Sequence, residues 1–383
     1  MELLSVRSVG FVAWVASTLV ATAARAACPE RTVWPGAAWE EAADRMDPEA
    51  LAAFEDYTFT LQGKDEDRVG VRTDGVVIIQ GGKKIYERYA RGFTEKNRHL
   101  TWSVSKSFTN ALVGIAVREG LLSVDDSICK HLAWAEEGAP YCRVTVRHLL
   151  EMGSGFAFKE VYENESNQVS SVLAMLYGEG QRDAAKFVAH HAFRDEPGTT
   201  WMYSSGDTTL LMAVVQSALQ PKYGEDFPWK LLFDPIGITS ATWERDGAGT
   251  MIGSSYLYLT PRDMARFGYL MLNDGCWNGT RVEPEGWIQQ SLQIDPAMER
   301  KAIDRGPTDV HGWQFWLNKP LSTDKQRPYP DVPEDAFFAL GHWGQSIAII
   351  PSKDLVIVRV ADDRDGTFDL NRFLSLAMKA VKP

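Results

Sequence analysis

Strand-forming patterns stand near both ends of this chain, and a long helical stretch without them lies between. Any fold it adopts must carry that stretch as an insertion beside a sheet. Near the start, Val76-Val77-Ile78-Ile79 and Lys84 to Tyr89 flank Gly81-Gly82, the pattern of a β-hairpin. Near the end, strands are predicted over 336–341, 346–351 and 355–361, followed by an amphipathic helix from Phe368 to Val381. Between them, helices are expected after the cap Thr145 and over 168–178, 182–191 and 207–219, the last two parted by the turn Glu196-Pro197-Gly198. Thr260-Pro261 starts another helix that runs through Phe267 and Met271 to Gly275. The reading is α+β: an antiparallel sheet flanked by helices, an α/β sandwich. Residues 27–125 and 246–383 form that domain, and 126–245 an inserted all-helical one.

The 383 residues are 45% hydrophobic, enough for a substantial core, and carry a formal charge of −11 with no basic block. That balance argues against nucleic acid and anionic membranes as partners and favours a small-molecule substrate. The histidines are scattered, and neither Cys-x-x-Cys nor His-x-x-x-His occurs. A zinc site therefore has no support, and no cofactor is expected.

Residues 1–26 read as a cleavable secretory leader: Arg7, an apolar run from Val9 to Ala21, then Ala24-Arg25-Ala26. The run is too short for a membrane span, so a periplasmic or secreted location is expected. Cys28 beside the cut raises lipid modification, against which Arg25 argues. The four cysteines allow three pairings in an oxidising compartment. Cys129 and Cys142 flank one loop and are the favoured bridge, leaving Cys28 and Cys276 as a second pair.

The chemistry gathers at Thr101-Trp102-Ser103-Val104-Ser105-Lys106. If a helix begins near 103, Ser103 and Lys106 share one face. A serine hydroxyl needs a neighbouring base, and a lysine kept neutral by burial can be one. Phe108, Ala111, Leu112, Ile115 and Ala116 then recur at helical spacing up to Gly120, so the helix is central and buried. Its head would favour developing negative charge, although Ser103 also reads as a plain N-cap. Ser-x-x-Lys alone is too short to decide between these.

Two further motifs bear on it: Trp201-Met202-Tyr203-Ser204-Ser205-Gly206-Asp207 before a helix, and Gly341-His342-Trp343-Gly344-Gln345 between two strands. In this order the three resemble the serine β-lactamase and penicillin-binding-protein group, in its class C-like branch, nearest the esterases and 6-aminohexanoate-dimer hydrolases. The likeness spans roughly residues 70–380. It implies Ser103 as nucleophile, Lys106 as proton acceptor and Tyr203 as proton shuttle, its pKa depressed by the lysine. It also implies backbone N–H groups of Ser103 and Gln345 as an oxyanion hole, with Gly344 clearing the substrate's approach. Ser205 stands where β-lactamases carry asparagine, and His342 where they carry lysine. A neutral imidazole beside Trp343 is a poor cradle for a β-lactam carboxylate. Tyr162 falls where the dimer hydrolases place a substrate-loop tyrosine. The resemblance implies a hydrolase of an ester or amide. The alternatives are a β-lactamase or D-alanyl-peptide hydrolase, and a silent member that binds cell-wall peptides. His190-His191 read as surface residues, and Ser154 and Ser346 as decoys that do not complete Gly-x-Ser-x-Gly.

Overall fold

The computed structural model describes residues 28–162, 166 and 168–382. The expected leader over 1–26 lies outside them. Six antiparallel strands build the main sheet: β1 (Thr73–Gln80), β2 (Lys83–Tyr89), β3 (Trp316–Leu317), β4 (Phe337–Gly341), β5 (Gln345–Ile350) and β6 (Leu355–Ala361). Their order is β2-β1-β6-β5-β4-β3, so the first strand pairs with the last. The hairpin falls where it was predicted, with Gly81 and Gly82 at φ 58° and 80°, a turn that L side chains resist.

Period-two burial makes the sheet two-sided. Val76 and Ile78 join Phe338, Ala348 and Ile357 under the terminal helices α1 (Pro48–Phe59) and α5 (Leu370–Ala380). Val77 and Ile79 join Ile347 and Val358 on the opposite face. There the central helix α2 (Ser105–Arg118) packs with α4 (Pro261–Leu272), and Phe108 stacks on Phe267 with ring centroids 3.7 Å apart. Thr260 caps α4 and Pro261 opens it, as expected.

Residues 126–245 are helices joined by long loops, with short helices Val146–Leu150, Ser171–Tyr177 and Ala184–Ala189 and the long α3 (Ser205–Tyr223). The strand Thr242–Trp243 at their end, pairing with Leu257–Leu259, was not foreseen. Nor was α1, for which no helix was predicted.

Both cysteine pairs are joined: Cys129 to Cys142 and Cys28 to Cys276. The Cys28 sulfur is thus bonded to Cys276 and is not free for a lipid thioether. Among the described residues no helix is long and apolar enough to cross a membrane.

Candidate active site

Ser103 does not cap the helix. It lies in a short 3₁₀ turn, Trp102–Val104, that leads into α2, and its hydroxyl meets Lys106 in the first turn of that helix. Trp102 holds φ 49°, a left-handed backbone rare for a bulky residue, immediately before Ser103. Such strain persists only where the surroundings enforce it. Here the Trp102 ring meets His342, Trp343 and Tyr162 at centroid distances of 5.4, 5.2 and 6.3 Å.

Lys106 is 2% exposed, and its Nζ reaches three oxygens: Ser103 Oγ at 2.9 Å, Ser205 Oγ at 2.9 Å and the carbonyl of Ser254 at 3.0 Å. Burial holds its pKa down at about 8, against an opposing pull from Glu160. Its Nζ also stands 5.0 Å from the centre of the Tyr203 ring.

Tyr203 lines the same cleft as Ser103 and stacks on Trp316 at 5.2 Å. Its phenol is pushed well above the ordinary tyrosine range by burial and then by the negative charge of Glu160. This corrects the expectation that the lysine would depress it: burial and the Glu160 charge both act in the opposite direction. Ser204 caps α3 through the amide of Asp207. The Asp207 carboxylate in turn accepts from Ser204 and from the hydroxyl of Ser154. Ser154 is therefore structural, as expected of a decoy, and pins the second motif to its neighbouring turn.

The third motif closes the site. At Gly341 an added Cβ would run into the Thr101 carbonyl, so only glycine lets β4 approach the Ser103 turn this closely. His342 stacks on Tyr162, centroids 5.1 Å apart. Gly344 sits at φ 89°, and the space its side chain would need is filled by the buried Arg359–Asp363 pair. Its glycine is thus required from behind, not to clear a path for substrate as expected. The Gln345 side chain ties strand ends together, donating to the Ala361 carbonyl at 2.6 Å and accepting from the Ala361 amide at 3.2 Å.

A cleft of about 390 Å³ opens onto Ser103, lined also by Glu160, Tyr162, Tyr203, Asp309, Trp316 and His342. Six of the residues singled out in the sequence come together here: Ser103, Lys106, Tyr203, Ser205, Tyr162 and His342. Gly344 and Gln345 instead line an adjoining cavity of about 430 Å³ that shares Gly341 and Tyr329 with the cleft. His190 and His191 lie elsewhere, just past the end of the helix Ala184–Ala189, beside Tyr141 and Phe187 respectively. Reasoning from motifs missed Glu160, whose carboxylate accepts from the Ser205 amide at 2.8 Å and its hydroxyl at 2.6 Å. It missed the Ser254 carbonyl and Trp316 as well. No spacing rule marks a lone loop glutamate or a backbone oxygen.

A serine and a buried lysine at the head of a central helix, against an antiparallel sheet, define a β-lactamase/transpeptidase-like fold. Residues 58–377 match the family model described as Beta-lactamase, and the chain belongs to that family. The 6-aminohexanoate-dimer hydrolase of Paenarthrobacter ureafaciens is 26% identical over 294 residues, covering 76% of this chain and 72% of that protein. Among solved structures, a penicillin-binding protein homologue from Caulobacter crescentus superposes with a TM-score of 0.62 at 14% identity, covering 88% of this chain and 99% of that one. A class C β-lactamase mutant gives 0.57 at 16% identity, over 87% of this chain and 96% of its own.

Proposed function

We propose that the protein is a secreted or periplasmic serine hydrolase that cleaves an ester or linear amide through an acyl-enzyme on Ser103. The observation that carries this reading is the 2.9 Å separation of Lys106 Nζ from Ser103 Oγ, with the amine buried and held near a pKa of 8. Neutral Lys106 takes the Ser103 proton as Oγ adds to the substrate carbonyl, and backbone N–H groups of Ser103 and Gln345 receive the oxyanion. Tyr203, protonated in the resting site, gives its proton to the leaving group as the C–O or C–N bond breaks. The Lys106 ammonium then restores the phenol. Water attack on the acyl-serine, assisted by the same groups, returns the enzyme.

The two bridged cysteine pairs support an oxidising compartment. We take residues 27–125 with 246–383 as one domain and 126–245 as the helical one. The similarity to a 6-aminohexanoate-dimer hydrolase supports a linear amide among the substrates. His342 in the third motif, and a cleft lining that holds no arginine among the described residues, weigh against β-lactams, whose carboxylate needs a fixed cation.

The test compares turnover of p-nitrophenyl butyrate, a linear 6-aminohexanoate amide and nitrocefin, with fluorophosphonate labelling of wild type and Ser103→Ala. Turnover and labelling that vanish in Ser103→Ala support the reading. Labelling that survives, or nitrocefin as the best substrate, overturns it.

A further inference from the structure

We propose that Glu160 is a positioning residue: through the hydroxyl of Ser205 it turns the lone pair of Lys106 onto Ser103. This rests on the acyl-enzyme reading above and assigns a task that its three motifs leave empty.

Protons and acceptors around the amine can be counted. A neutral lysine amine has two N–H bonds and one lone pair, while Lys106 has three partners at 2.9, 2.9 and 3.0 Å. The Ser254 carbonyl can only accept, so it takes one N–H. A serine hydroxyl has one proton, and that of Ser205 goes to Glu160 Oε1 at 2.6 Å. Toward Lys106, Ser205 can therefore only accept, and it takes the second N–H. The lone pair is left for the hydroxyl of Ser103, the one direction in which the amine works as a base.

The carboxylate itself is fixed by a second bond, from the Ser205 amide to Oε2 at 2.8 Å. Tyr162 lies 3.4 Å from Ser205 Oγ and stays protonated, because burial raises its pKa. It can fill the hydroxyl's remaining lone pair without disturbing the order. With Glu160 removed, the Ser205 proton is free to turn onto Lys106. It would occupy the lone pair and send an N–H toward Ser103.

The same carboxylate faces the ammonium formed when Lys106 accepts the proton, and so favours that charge. The other titratable groups around the amine are Tyr203 and Tyr162, both held protonated by burial. Behind them His311 is kept neutral by burial and by Lys106, its pKa pushed down to about 3. Asp207 lies beyond Glu160, on α3. Glu160, whose own pKa burial raises while Lys106 and the two Ser205 hydrogen bonds pull it back down, is thus the charge expected to set where Lys106 titrates.

In Glu160→Gln the two acceptor oxygens become one, and the amide donates where the Ser205 proton should land. The experiment measures kcat/KM for p-nitrophenyl butyrate from pH 5 to 10 on the full chain. The variants are Glu160→Gln, Glu160→Asp, Ser205→Ala, the Glu160→Gln/Ser205→Ala double and Ser103→Ala, each checked by thermal melting. Glu160→Gln should lose about 100-fold, and its acid limb should move to lower pH by about one unit, since the ammonium has lost its counter-charge. Glu160→Asp, which keeps two acceptor oxygens, should stay within about tenfold of wild type. The double variant should be no worse than the weaker single, because both act on one hydroxyl.

A Glu160→Gln activity within about threefold of wild type, an unmoved acid limb or additive losses would overturn the proposal while Ser103→Ala is inactive. Activity in Ser103→Ala would instead overturn the reading on which it rests. Should Glu160→Gln not fold, Glu160→Asp is compared with Ser205→Ala instead. A Ser205→Ala variant as active as wild type then overturns the proposal, and one that falls well below Glu160→Asp supports it.

Discussion

Trp102 and Trp343, far apart in the chain, both hold left-handed backbone, at φ 49° and 58°, and their rings meet edge to face at 5.2 Å. One precedes Ser103, and the other sits inside the third motif. Each indole helps to hold its partner's turn, with the Arg364 guanidinium lying over the Trp343 ring.

That geometry separates backbone strain from ring packing at Trp343. Trp343→Ala and Trp343→Gly both lose the ring, but only glycine relaxes the positive φ. We expect the glycine variant to be the more stable of the two by about 1 kcal/mol in urea unfolding. Equal stabilities would mean that the turn is not strained.

Lys106 must be neutral to take a proton, and its pKa lies at about 8. Activity should therefore rise with pH through about 8, where half the sites are neutral, and Lys106→Met should be inactive across the range. A wild-type profile already flat at pH 6 would contradict this. The phenol of Tyr203, raised by burial, predicts no alkaline fall below the ordinary tyrosine range.

If Tyr203 serves to protonate the leaving group, its loss should depend on what leaves. A p-nitrophenolate needs no proton, whereas an amine does. Tyr203→Phe should lose about 10³-fold on a linear amide and only about tenfold on p-nitrophenyl butyrate. Equal losses on the two substrates would assign the phenol to another step.

Glu283 is fully buried, and neither of its carboxyl oxygens finds a hydrogen bond among the described residues. Burial first, then the nearby Asp274, raise its pKa from 4.5 to about 8. A folded-state pKa above the unfolded one means that the native protein holds the proton longer. This contribution to stability is complete below pH 4.5 and is lost as pH rises through about 8. Glu283→Gln should leave stability at pH 5 nearly unchanged and exceed wild type at pH 9. Between about pH 5 and the folded pKa of about 8, wild type should lose about 1.4 kcal/mol per pH unit relative to the variant, with little further loss above it. Urea unfolding at the two pH values measures the difference.

How much could be read from the residues alone follows the physics of each signal. The hairpin, the C-terminal strands, α4 and α5 announced themselves because periodicity and turn chemistry are local. So did Ser103, Lys106, Tyr203 and Ser205, whose motifs are short and ordered. Two-residue strands such as Thr242–Trp243 carry no period to detect. Glu160 acts only because the fold brings it to Ser205, 45 positions away. The direction of the Tyr203 shift was misjudged because an amine at a known sequence offset is visible, whereas the depth of burial is not. Gly344 was explained from the wrong side, since Arg359 and Asp363 reach it only through the pairing of β5 with β6.

The register that joins Thr73 to Ala361 and Gln80 to Leu355 has a consequence for how this chain can mature. A ribosome must add the whole helical region and most of the sheet before the first hairpin meets the strand that completes it, so the nascent protein must wait, with apolar segments uncovered, for that strand. A stop codon shortly before Leu355 would therefore leave the first hairpin without the strand that ties it to the rest of the sheet.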